Sequence, residues 1–132
     1  MHLKNFFPVF LWVLVILVLT GLPGNYFPHI TSFWDWLSPD KLIHLLMFAV
    51  LVFLFMIANS KQYNYRNKRY YYIIGSLFIS IFLGALTEIL QKFVFIGRHA
   101  NIYDFYANTL GCFLGIILFF IVQKKIIKKI KS

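Results

Sequence analysis

Four apolar stretches constrain this chain more than anything else in it. Each is close to twenty residues long, and a helix rising 1.5 Å per residue needs about 20 mostly apolar residues to cross a bilayer. They run over residues 6–22, 41–58, 70–91 and 105–122. Only the first could be a cleaved targeting peptide. A weak basic start, Lys4, precedes it, but no small-x-small cleavage pattern follows, so it reads as a span. With 61% hydrophobic and 13% charged residues, the 132-residue chain lies far from the ~25% charge of ordinary soluble domains. The expectation is one all-α domain over residues 1–132, a four-transmembrane-helix bundle.

Charge sets an orientation. One set of loops and ends carries Lys4, Lys61, Arg66, Lys68, Arg69, Lys124, Lys125, Lys128, Lys129 and Lys131. The other set carries Lys41, Lys92 and Arg98 alone. Basic residues stay on the cytoplasmic side, which predicts both termini in the cytoplasm of a multi-pass protein in the bacterial inner membrane. The net charge of +9 then reads as an orientation signal touching anionic lipid, not as a nucleic-acid surface. Trp34 and Trp36, in the first outer loop, suit interfacial anchors. Cys112 is the only cysteine, which excludes an internal disulfide and any Cys-rich metal site. It reads as packing.

All four acids, Asp35, Asp40, Glu88 and Asp104, fall on the outer side. Depth brings three of them to one layer. Asp40 and Lys41 open span 2, and His44 lies one turn in. Glu88 stands eighteen residues beyond Tyr70, about 27 Å along span 3, with Gln91 less than a turn further. Asp104 opens span 4, and Asn108 is one turn deeper. Residues three or four apart share a helix face, so Asp40 with His44, Glu88 with Gln91 and Asp104 with Asn108 each point one way. Below them run two stripes of small residues: Ser76, Ser80 and Gly84 on span 3, and Gly111 and Gly115 on span 4. Small residues let membrane helices approach closely, so spans 3 and 4 are expected to pack along these stripes.

Each polar residue also has a plainer reading. Ser38, Pro39 and Asp40 form an ordinary helix start, with an acid at the favourable end of the dipole. Asp104 could likewise cap span 4. Lys41 could snorkel to the interface. Asn108 and Gln91 could be interhelical glue, and His44 a packing histidine. Glu88 fits none of these well. It sits near a helix C-terminus, where the dipole disfavours a negative charge, so it requires a partner or a proton. By charge alone, Arg98 or Lys41 would serve as that partner.

The ordered set resembles the VanZ-like family of small bacterial membrane proteins. "DKLIHLLMF" fits its D-K-x-x-H-x-x-x-aromatic pattern at Asp40, Lys41, His44 and Phe48. "EILQKFVFIGRHANIYDFYANTLGCFLG" fits E-x-x-Q, R, then D-x-x-x-N-x-x-G-x-x-x-G, at Glu88, Gln91, Arg98, Asp104, Asn108, Gly111 and Gly115. The resemblance covers about residues 38–120 and implies a cell-envelope setting, with a link to resistance against the glycopeptide teicoplanin. It also groups Glu88 with Arg98, which makes Arg98 the expected partner of Glu88, since a planar guanidinium grips a carboxylate with two hydrogen bonds.

Three functions stay open at this point. In the first, Lys41, His44, Gln91, Arg98, Asp104 and Asn108 bind an anionic lipid or lipid-linked envelope precursor at the outer boundary. In the second, Glu88, His44, Asp40 and Asp104 perform acid–base or metal-assisted hydrolysis on a lipid-linked phosphate, a carboxylate and imidazole set being able to do either. In the third, the chain is a structural or transport-related scaffold. No dedicated metal site and no cofactor is assigned. The partners expected are membrane lipids, with no nucleic acid, and the sequence leaves the oligomeric state and any catalysis open.

Overall fold

The computed structural model describes residues 3–22, 39–63, 69–95 and 101–131. Arg98, Trp34, Trp36, Asp35, Ser38, Arg66 and Lys68 lie outside the described residues. After a single 3-10 turn at Leu3–Phe6, the described chain forms α1 (Phe7–Gly21), α2 (Pro39–Ala58), the one-turn α3 (Ser60–Tyr63), α4 (Arg69–Phe93) and α5 (Ile102–Lys131). Four of these helices are long and apolar enough to cross a membrane.

Local chemistry sets their ends. A proline stands at the start of α1 and another opens α2, positions where its missing N–H costs nothing. The Asn59 side chain donates to the Phe55 carbonyl at 2.9 Å and closes α2, after which α3 adds a turn to what the sequence suggested was loop. At the end of α4, the Val94 and Phe95 amides both fold back on the Leu90 carbonyl. The structure carries α5 nine residues past the expected 122. No glycine or proline interrupts that lysine-rich tail, and lysine is a good helix former.

Burial is inverted relative to a soluble protein. Phe7, Phe10, Phe78, Phe82, Phe113 and Ile117 face outward, while Thr20, His44, Ser80, Glu88, Gln91, Asp104 and Asn108 are buried. Hydrocarbon solvent explains both halves: apolar side chains cost nothing against lipid, and polar groups must find partners inside. The apolar core centres on α2 and α5, through Phe48, Leu51, Val52, Met56, Cys112, Ile116 and Phe119.

α2 and α5 form the closest pair, and glycine makes it possible. A Cβ added at Gly111 would collide with the Leu45 carbonyl oxygen and lie 3.1 Å from the Ala49 nitrogen. One added at Gly115 would collide with the Ala49 carbonyl oxygen and lie 3.0 Å from the Val52 Cβ. These are contacts with backbone, and no rotamer change clears them. The expectation that this stripe meets span 3 is therefore revised: it lies on α2. The α4 stripe touches α5 more loosely at Gly84, where a Cβ would stand 3.2 Å from the Asn108 Cβ and 3.4 Å from the Phe48 ring. Ser76 and Ser80 are buried on the same face of α4.

Among the described residues, hydrogen bonds to α2 and α4 help to dock α1. The Trp12 indole donates to the Met47 carbonyl on α2 at 2.9 Å. The Gln91 side-chain amide on α4 donates to the Thr20 carbonyl at 3.2 Å.

Candidate functional site: the acidic end of the bundle

Helix starts α2 and α5 and helix end α4 meet at one end of the bundle. Successive spans run in opposite directions, so residues far apart in sequence reach one level. Asp40 and His44 lie one turn apart on α2, which stacks their side chains on one face. Asp104, in the first turn of α5, stands opposite. One donor atom from each of Asp40, His44 and Asp104 falls within 4.8 Å of the others.

His44 is the centre of the arrangement, with only 1% of its surface exposed. Its Nδ1 lies 3.0 Å from the Asn108 side-chain oxygen, one turn below Asp104. Its Nε2 makes no hydrogen bond and has an Asp40 oxygen at 4.0 Å. The Asp40 side chain keeps 27% of its surface exposed, so the cluster opens toward the end of the bundle. Asp104 and Asn108 are buried.

Glu88 has a different task. Its Oε2 accepts the backbone N–H of Asn101 at 3.1 Å. Asn101 is the residue just before α5, and its own side-chain oxygen accepts the Tyr103 amide at 3.0 Å, an N-cap. In a capping box the acid three residues into the helix reaches back to the cap residue's N–H. Here Glu88, from α4, takes that N–H. Asp104, the third helical residue, lies beside Asp40 and His44. Sequence reading offered Asp104 as the cap and overlooked Asn101. The Asn-x-x-Asp spacing at 101–104 was the available signal.

Two grooves flank this centre. One, of about 200 Å³, lies between α2 and α5 and is lined by Lys41, Leu42, Leu45, Tyr103, Tyr106 and Leu110 among others. Lys41 sits at its head, with Nζ 5.6 Å from the centre of the Tyr103 ring. The other, of about 290 Å³, lies between α4 and α5 and has Glu88 and Asn101 at its polar edge over Ile89 and Phe105.

Of the residues singled out in the sequence, Asp40, His44, Asp104 and Asn108 thus form one connected group. Lys41 borders it. Gln91 is fully buried and ties α4 to α1 through Thr20. The expected Glu88–Arg98 pair falls partly outside the described residues. Trp12 was missed; an indole in mid-span, away from the interface, was the available hint, because a buried N–H needs an acceptor.

No curated protein and no solved structure matches this chain. The VanZ/LLP1 family matches residues 7–123, which takes in all four spans and every residue of the acidic end described above. The chain is a member of the VanZ/LLP1 family.

Proposed function

We propose that this protein binds an anionic lipid, or a lipid-linked precursor of the cell envelope, at the outer boundary of the bacterial cytoplasmic membrane. The observation that carries the reading is the α2–α5 groove. A cation, Lys41, stands at the head of an apolar trough whose aromatic wall is Tyr103 and Tyr106. Such a trough accepts a hydrocarbon chain, and the ammonium holds the phosphate at its end as a point charge. The outward orientation follows from the ten-to-three distribution of basic residues. The family resemblance supplies the connection to teicoplanin, since a protein that occupies lipid-linked wall precursors would alter the target of that drug.

The test is binding of a polyprenyl phosphate, in detergent micelles, to the purified chain and to Lys41→Glu and Lys41→Arg. Charge reversal is expected to weaken binding at least tenfold, about 1.4 kcal/mol, with Lys41→Arg close to the parent. Equal binding by Lys41→Glu overturns the reading.

The Asp40–His44–Asp104 group favours a second reading, hydrolysis of a lipid-linked phosphate with His44 as the acid–base group. It requires phosphate release by the purified chain that disappears in His44→Gln.

A further inference from the structure

We propose that Asp40, His44 and Asp104 bind one divalent first-row cation, of the zinc or manganese type, with Asn108 orienting the imidazole from behind. This goes beyond the lipid-binding reading and does not depend on it.

The imidazole carries the argument. His44 keeps only 1% of its surface exposed, yet its Nε2 has no hydrogen-bond partner. The other ring nitrogen is engaged, 3.0 Å from the Asn108 oxygen. A carboxamide oxygen can only accept, so Nδ1 carries the hydrogen at that contact, and Nε2 is the nitrogen left beside the carboxylates of Asp40 and Asp104. This is the usual support of a metal-bound histidine: one nitrogen held by an outer acceptor, the other left for the ion.

Distances separate a cation from a proton. A protonated Nε2 would make a charge-assisted hydrogen bond to Asp40 of about 2.7–2.9 Å. The observed separation is 4.0 Å. Ligands 2.0–2.2 Å from a tetrahedral ion stand about 3.4 Å apart. The three donor atoms, all within 4.8 Å of one another, reach that spacing with small side-chain adjustments. Asp40 is the one most able to adjust, being partly exposed, and its open side gives the ion an access route.

Ligand type narrows the ion. Calcium and magnesium prefer all-oxygen sets, whereas an imidazole with carboxylates suits zinc, manganese and iron. Two carboxylates neutralise a divalent charge, a requirement at a membrane boundary where net charge is costly. Three protein ligands leave one or more positions for water or for an oxygen of a bound phosphate.

The test uses tag-free full-length protein in detergent, stripped with chelator, incubated with Mn²⁺ or Zn²⁺, and separated from free metal. Metal content is read by mass spectrometry and thermal stability by circular dichroism. About one equivalent is expected, with a raised Tm. His44→Gln and Asp104→Asn should each lose the metal and the Tm shift. Asn108→Ala should keep the site with affinity lowered about 10–100-fold. Asp40→Asn, at the exposed edge, guards against variants that lose metal only because they misfold: it should retain the parent's helix content while binding less. No stoichiometric metal in the parent overturns the proposal, and so does equal metal in His44→Gln and Asp104→Asn. The two readings fail separately. Metal absent while Lys41→Glu still weakens lipid binding removes the cation site alone. Metal bound while Lys41→Glu binds lipid like the parent removes the lipid reading alone.

Discussion

Alanine at Gly111 is the smallest change that tests the α2–α5 contact, and a built-in control sits on α4. The Cβ of Gly111→Ala would enter the Leu45 carbonyl and come within 3.0 Å of its carbon. Carbon contacts are comfortable only from about 3.5 Å, so the helices must part by on the order of 1 Å. Overpacking costs about 1–3 kcal/mol, and a backbone obstacle places this site in the upper half of that range. Replacing glycine in a helix returns about 0.5–1 kcal/mol. The net expectation is a loss of about 1–2.5 kcal/mol. Gly75, also within a span, has nothing within 4 Å of its added Cβ. Gly75→Ala takes the same propensity gain with no collision, so it should be neutral or more stable. Reversible unfolding in mixed micelles titrated with a denaturing detergent, followed by circular dichroism, gives both numbers under one condition. Gly111→Ala as stable as Gly75→Ala would refute the backbone-contact argument.

Two further predictions concern orientation and α1. In a Cys112→Ala background, Ala100→Cys should react with an impermeant thiol reagent in intact cells and Asn64→Cys should not; the opposite pattern would place the acidic end in the cytoplasm. Trp12→Phe keeps the ring and loses the donor to Met47, so it should lower stability by about 0.5–1.5 kcal/mol in the same unfolding assay; an unchanged midpoint would make the indole bond incidental.

Length and apolarity made the spans legible in the sequence, because a bilayer demands both at once. Depth and helical spacing made the acidic end legible: Asp40 and His44, or Asp104 and Asn108, could hardly point apart while four residues separate them on a helix. Partner choice was not legible. A run such as Gly111 and Gly115 says that some backbone comes close, and nothing in it names α2 over α4. The same holds for Glu88. Its Oε2 accepts the Asn101 amide, and a main-chain donor of that kind leaves no mark in composition. Hydrogen bonds to main chain, including those of Trp12 and Gln91, are invisible until the helices are placed.

The bonds from Trp12 to Met47 and from Gln91 to Thr20 have a bearing on how the protein is made. α1 leaves the ribosome first, but the carbonyl of Met47 and the amide of Gln91 that receive it emerge only with the second and third spans. Lipid is as apolar as leucine, so burying side chains alone gives the waiting helix little reason to associate. The polar contacts must supply the selectivity. α1 is thus expected to insert early and dock late, joining a partnership of α2 and α5 that its own absence would leave standing. Shortened chains lacking residues 1–22 offer a direct view of that order of events: the His44–Asn108 contact lies wholly within the part that remains.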